Sequence, residues 1–358
     1  MTRPRREPIP LDPTTAAVVV DAAIAWFAEH GRDLPWRRTR DPWAVLVSEV
    51  MLQQLRVART TPFYERFIAR FPTPGALAEA TLGEALKVWG DLGRYRAAAA
   101  LHRAAGILVG EHGGAVPSEV GALLALPGVG AYTAGAVACF AHERDVAFLD
   151  TNARRVLHRV FVGVDVPRPT AGAASLRDLS ERLVPAGRAW AWNQALIEVG
   201  ALRCTARSVE CGRCPMARWC VARAEMASAL KAKRTVGEEP AAEGVHRRYD
   251  LADAETVVKP ERRYEGTNRQ FRGQVLRALR EAEDVVVSIE AIGRRVRPGF
   301  GEADRPWIEG VVASLERDGL VRRAPVPPVG RGIGEERAGY DAGDGAVVER
   351  GEEGIALP

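Results

Sequence analysis

Two sets of side chains in this chain have types and spacings that could do chemistry. Cys204, Cys211, Cys214 and Cys220 form a C-x6-C-x2-C-x5-C run. Thiolates gathered this closely can hold an iron–sulfur cube or a zinc ion. Zinc folds usually present two separated C-x-x-C knuckles, and here there is one close pair. The second set is a pair of carboxylates. Glu49 sits among apolar neighbours in SEVMLQQ, where burial would disfavour its charge and raise its pKa, as an acid working near neutral pH requires. Asp150 opens a helical stretch in LDTN, where the dipole and free amides favour the ionised form. One protonated and one ionised carboxyl is the division of labour that breaks glycosidic bonds. Taken singly, each has a plain alternative: Glu49 as a solvated helix residue and Asp150 as an ordinary N-cap.

Between them lies Leu126-Pro127-Gly128-Val129-Gly130, followed by Tyr132-Thr133-Ala134-Gly135. Gly128 and Gly130 allow positive φ and close backbone approach, so amides at the start of the second helix can hold a DNA phosphate without reading sequence. A tight interhelical turn uses the same residue types.

The elements that must position these groups are helical. Apolar residues recur with helical period over Asp12–His30, Trp43–Arg56, Thr61–Phe71, Thr81–Trp89, Arg94–Gly110 and Ser118–Leu126. They continue over Tyr132–Ala141, Thr151–Val162, Ala174–Leu183 and Trp190–Leu202. Strand-like alternation is nearly absent, which predicts an all-α fold. Residues 226–262 read as linker. Residues 263–328 predict three helices, Asn268–Glu283, Ser288–Val296 and Arg305–Arg317, then a short strand in LVRRAPV, the pattern of a winged-helix-like module. Residues 329–358, rich in Gly and Glu, read as a disordered tail.

With 358 residues and 47% hydrophobic content, the chain can build two or three domains. A net charge of +4, almost all positive charge being arginine, fits nucleic-acid binding. No stretch reaches transmembrane length, and the basic N-terminus has no apolar run behind it, since Asp21 interrupts Val18–Phe27. A reduced, cytoplasmic, nucleoid-associated protein is expected, with Cys139 as a buried core thiol.

The motifs SEVMLQQ, LPGVGAYTAGAV, LDTNARRVL and WNQALIEVGALRC, with the cysteine loop, stand in an order that resembles the A/G-specific adenine DNA glycosylases of the helix–hairpin–helix, endonuclease III-like superfamily. The resemblance covers about residues 12–225. It implies a six-helix barrel with an iron–sulfur subdomain and a 4Fe–4S cluster on the four cysteines. It makes Glu49 the acid that protonates adenine and later activates water, and Asp150 the stabiliser of the oxocarbenium ion, with Tyr132 and Asn152 assisting. Leu34, Trp36 and Arg37 of LPWRR, with Gln194, would line the adenine pocket, and Gln53 and Gln54 would contact the opened duplex. Relatives that cleave the strand through a Schiff base place a lysine where Tyr132 stands, and Lys87 is the one lysine before residue 231. The implied enzyme is therefore monofunctional, acting as a monomer on mispaired double-stranded DNA and leaving an abasic site for a downstream endonuclease.

Three departures bear on the opposite base. Leu55 replaces a family threonine, Arg94 replaces the wedge tyrosine, and no counterpart of the Nudix-like 8-oxoguanine-sensing domain is expected after residue 225. A G:T or G:U mismatch glycosylase and a non-catalytic DNA-binding protein are the alternative readings. Arginines 203, 207, 213, 218 and 223 around the cysteine loop suggest a scaffold that presents cations to phosphate.

Overall fold

A computed structural model of the chain describes residues 8–165, 168–235, 266–282, 286–326 and 353–358. Several helices begin where apolar periodicity meets a capping side chain. α1 (Pro13–His30) starts at Asp12, whose carboxylate accepts the Thr15 amide at 2.8 Å, with proline in the first turn. α2 (Pro42–Leu52) opens on Asp41, which accepts the Trp43 and Ala44 amides. It ends before Gln54, whose φ of 62° is left-handed and cannot continue a helix. α3 (Val57–Arg70), α4 (Pro74–Ala78), α5 (Leu82–Trp89) and α6 (Tyr95–His112) follow, α5 behind a reciprocal Thr81–Glu84 capping box. α7 (Val120–Ala125), α8 (Ala131–Phe140), α9 (Thr151–Phe161), α10 (Ala173–Arg182), α11 (Ala189–Leu202) and α12 (Val221–Thr235) complete the run. The expected helices are all present within a few residues; α4 and α12 are additional, and α12 carries helix into what reads as linker from residue 226. The rest of that expected linker, 236–262, lies outside the described residues.

The chain divides into two compact units, Met1–Gln53 with Val116–Pro260, and Gln54–Ala115 with Glu261–Pro358. The expected 1–225 segment thus contributes to both. In the first unit the core is built by α1, α9, α10 and α11, with Val19, Ala23, Val156, Leu157, Leu179, Trp192 and Leu196 fully or almost fully buried. Cys204, Cys214 and Cys220 pack against this core.

In the second unit, α13 (Asn268–Arg280), β1 (Val287–Ser288), α14 (Ile289–Val296), α15 (Arg305–Arg317), β2 (Arg322–Pro325) and β3 (Glu353–Ala356) follow one another. The α-β-α-α-β-β order and an antiparallel sheet of order β1-β3-β2 are those of a winged helix. Val275, Ile292, Ile308, Val312 and Leu315 form its small core. The reading of 329–358 as a disordered tail needs correction at its end. Residues 353–356 are the central strand, with Ile355 fully buried, and the Pro358 carbonyl accepts the Gly83 amide at 2.7 Å. Four residues of Gly-Ile-Ala character were too short a signal against the Gly- and Glu-rich run before them. Residues 327–352, between β2 and β3, lie outside the described residues.

Candidate active site

The first unit gathers most of the expected site. Glu49 lies on α2, seven residues beyond its start, and is 6% exposed. Helix α8 brings Tyr132 to it, and the phenol donates a hydrogen bond to the Glu49 carboxylate. Phe148 meets the Tyr132 ring edge-on at 5.4 Å and Phe140 at 5.2 Å, so an aromatic stack fixes the phenol. Burial raises Glu49 to about 7, with the nearby Asp150 charge adding to the rise. The Tyr132 hydrogen bond and the Arg37 guanidinium act against it. Tyr132 is itself raised well above the ordinary phenol value, first by burial and then by Glu49 and Asp150. A carboxyl group that is half protonated near neutrality is therefore coupled to a second carboxylate.

Asp150 is the N-cap of α9. One oxygen accepts the Ala153 amide at 2.6 Å and the other accepts Asn152 Nδ2 at 2.8 Å. Asn152 is held in turn by Arg155, whose guanidinium donates to Asn152 Oδ1 at 2.9 Å, to the Gly200 carbonyl at 2.7 Å and to the Cys204 carbonyl at 2.8 Å. Gly200 is required for this approach, because a Cβ there would lie 2.6 Å from Asn152 Cβ. A continuous set of hydrogen bonds therefore runs from the Asp150 carboxylate to the first cysteine of the loop.

On the other side, a 3-10 turn at Pro35–Arg37 buries Leu34 and Trp36. Arg37 donates to Gln194 Oε1 and to Glu198 Oε2, both at 2.7 Å. Glu198 is fully buried on α11 and also accepts the Arg32 amide at 2.9 Å and its guanidinium at 2.6 and 3.0 Å. Burial alone would raise this carboxyl, but the hydrogen bonds from Arg32 and Arg37 bring it to about 2. Its permanent charge fixes the guanidinium that faces Glu49.

At the hairpin, Gly128 has a φ of 79°, the left-handed turn its sequence predicts. Gly130 has an ordinary φ of −97° and caps α8 without a side chain, and a Cβ there would meet nothing within 4 Å. Gln53 Nε2 donates to the Gly128 carbonyl at 3.3 Å and to Thr133 Oγ1 at 3.4 Å, tying the end of α2 to the hairpin. Gln54 and Arg94 belong to the second unit. Both are left-handed at φ 62° and 52°, and Arg94 Nη1 donates to Gln54 Oε1 at 2.7 Å.

Cys204, Cys211, Cys214 and Cys220 line one small cavity, walled by Val156, Val160, Val199 and Met216. Burial pushes Cys214 up to about 12 and Cys220 up to about 11. Arg159, a buried side chain of α9, donates to Cys204 Sγ at 3.5 Å, and its carbonyl accepts from Cys220 at 3.2 Å. Among the described residues, no three His, Cys, Asp or Glu side chains converge on the geometry of a single ion. Cys139 is buried in the core, raised to about 12 by that burial.

Residues 47–182 match the model of the HhH-GPD superfamily of base excision DNA repair proteins. The chain is 41% identical over 266 residues to the adenine DNA glycosylase of Mycolicibacterium smegmatis, covering 72% of this chain and 79% of that one. The chain belongs to this superfamily and, within it, to the adenine DNA glycosylase family. A Mycobacterium tuberculosis adenine DNA glycosylase is 40% identical over 272 residues, covering 75% of this chain and 80% of the relative. The human one is 40% identical over 210 residues, 56% of this chain and 38% of that one. Among solved structures, a thermostable thymine-DNA glycosylase superposes with a TM-score of 0.55 at 30% identity, over 59% of this chain and 98% of that one. An endonuclease III–DNA covalent intermediate shares the fold, with a TM-score of 0.53 at 22% identity over 61% of this chain and all of the other. The chain is thus a base excision repair glycosylase with the helix–hairpin–helix fold.

Sequence reasoning missed Glu198, Arg155 and Phe148. Glu198 carried one legible signal, a charge in the otherwise apolar helix ALIEVGAL. Arg155 and Phe148 carried none, since Arg155 is anchored by the distant Gly200 and Cys204 carbonyls and Phe148 packs on Tyr132 of α8.

Proposed function

We propose that this glycosylase removes adenine from A:G or A:8-oxoguanine mispairs in double-stranded DNA by hydrolysis of the N-glycosidic bond. The observation that carries the reading is Glu49, held near 7 beside Asp150 and Tyr132. In its protonated form Glu49 gives its proton to a ring nitrogen of the extruded adenine. The bond from C1′ to the base then breaks, and its electron pair leaves with the neutral adenine. The oxocarbenium ion left on the sugar faces Asp150, whose two oxygens are held as acceptors by Ala153 and Asn152. Water adds to C1′, and the Glu49 carboxylate takes its proton, which restores the starting state. Leu34, Trp36, Arg37 and Gln194 receive the base, and Gln53, Gln54 and Arg94 engage the opened duplex. Tyr132 cannot form a Schiff base, so the reaction stops at the abasic site, for a downstream endonuclease. The enzyme acts as a cytoplasmic, nucleoid-associated monomer.

The four thiols fit a 4Fe–4S cluster: all four line one apolar cavity, and Arg159 supplies an N–H···S hydrogen bond of the kind that tunes such clusters. When bound, the cluster would cross-link residues 204–220 to the core and supply no chemistry to the glycosidic bond. Cys204→Ser is expected to lower folded yield and DNA affinity more than the chemical step.

Single-turnover excision on duplexes carrying A:8-oxoguanine, A:G, G:T and G:U tests the substrate. Release of adenine is expected. Release of thymine without adenine would establish the mismatch reading that Leu55, Arg94 and the likeness to a thymine-DNA glycosylase keep in view.

A further inference from the structure

The second unit holds a cavity of about 810 Å³ between the Asp91–Ala97 loop and helix α13. Arg59, Arg94, Arg96, Arg269, Arg272 and Arg277 line it, against one lining carboxylate, Asp91. Two acidic nodes fix its walls. Asp91 accepts from Arg280 and, at 2.8 Å, from Arg277, while Arg59 donates to its backbone carbonyl at 2.8 Å. Asp318 accepts from Arg272 and, at 2.8 Å, from Arg96. Arg280 also donates to Tyr95 at 3.1 Å, and Arg272 to Ser314 at 2.6 Å. These contacts give each of these arginines a structural role: Arg277 ties α13 to the loop, Arg59 ties α3 to it, Arg272 ties α13 to α15, and Arg96 ties the loop to the end of α15.

Arg269 is different. It is exposed at the first turn of α13, lines the same cavity, and forms no ion pair or side-chain hydrogen bond among the described residues. Its charge is close enough to Arg94 to disfavour that guanidinium's ionised form, an effect second to burial. Both guanidinium groups line one cavity on elements pinned by ion pairs, a concentration of positive charge that a ligand with negative charge complements.

Resting on the glycosylase reading, we propose that the winged-helix module is a DNA-contacting element, with Arg269 and Arg94 converging on a backbone phosphodiester of the duplex. A phosphate suits the chemistry: two guanidinium forks can each donate in pairs to its oxygens, and a sequence-independent contact is what mispair repair requires. The module then grips DNA through the face of α13 that meets the wedge loop.

The test uses the full chain and an undamaged duplex alongside a mispaired one. Arg269→Gln and Arg269→Lys are compared with the unaltered protein for dissociation constant against salt. Loss of one phosphate contact lowers the slope of log affinity against log salt by about 0.9. Between 50 and 200 mM salt, the unaltered protein should therefore lose about 3.5-fold more affinity than Arg269→Gln. Arg269→Lys should keep most of the slope. The single-turnover rate at saturating mispaired DNA should be the same in all three, which separates this contact from the excision chemistry. An unchanged slope in Arg269→Gln on both duplexes overturns the proposal and leaves an acidic protein partner as the reading of the cavity. An altered single-turnover rate with unchanged slope also overturns it. If no duplex is processed by any of the proteins while the slope still falls, the glycosylase reading fails and the phosphate contact stands.

Discussion

Glu49→Gln should make the protein more stable while abolishing its chemistry. Burial and the Asp150 charge hold this carboxyl at about 7 instead of 4.5, which corresponds to about 3 kcal/mol against the ionised form. The sign follows from proton binding: between those two values the folded chain holds the proton more firmly than the unfolded chain. Stability contributed by this group is therefore lost as pH rises through that window. Glutamine keeps an acceptor for the Tyr132 hydroxyl and removes the ionisation. In paired urea denaturations, the stability difference between variant and wild type should rise from near zero at about pH 4 to about 3 kcal/mol at about pH 8. Taking the difference cancels every group common to both. Single-turnover excision should fall by roughly 10²–10⁴-fold, the usual worth of a general acid. A difference that stays flat across this pH range would falsify the assignment of Glu49 as the buried, proton-holding group.

Asp150→Asn removes a charge that raises Glu49, so the basic limb of the excision pH profile should move to lower pH, with a rate loss of about a thousandfold; an unmoved limb would show the two carboxyls are uncoupled. Glu198→Gln leaves Arg32 and Arg37 facing a buried neutral amide and should cost about 3–5 kcal/mol. Because Glu198 lies at about 2, its contribution is fully present above 4.5 and lost as pH falls towards 2, so the deficit should be constant from about pH 5 to 8. Arg155→Leu removes the hydrogen bonds that the guanidinium donates to Asn152 Oδ1 and to the Gly200 and Cys204 carbonyls. Excision should slow by about 10²-fold through misplacement of Asp150, with duplex affinity kept, and equal losses in both would point to unfolding instead.

The all-α class, the helix limits and the hairpin were legible because they follow from local rules. Asp150 caps a helix at the helix start its sequence marks, Asp12, Asp41 and Thr81 cap others by the same local chemistry, and Gly128 turns with a left-handed φ. The pairing of Glu49 with Asp150 was legible as composition, an acid in an apolar helix and an acid at a helix start. The direction of the Glu49 shift was legible too, but its extent was not, since burial and the Asp150 charge raise it while Tyr132 and Arg37 act against them, and all four depend on packing. Strand β3 was missed because its partners, 287–288 and 322–325, lie far away in sequence.

The sequence by itself determined which residue types were available and, to within about four residues, where most of the helices lie, because capping and periodicity act within a few residues. Only the tertiary structure decided which of them work together. Glu198 ties Arg32 and Arg37 across more than 160 positions, and Arg155 joins Asp150 to the cysteine loop. It also placed Arg269 in one cavity with Arg94, without a counter-charge among the described residues. Burial and charge proximity are properties of the packed chain, and they set proton affinities that no local pattern encodes.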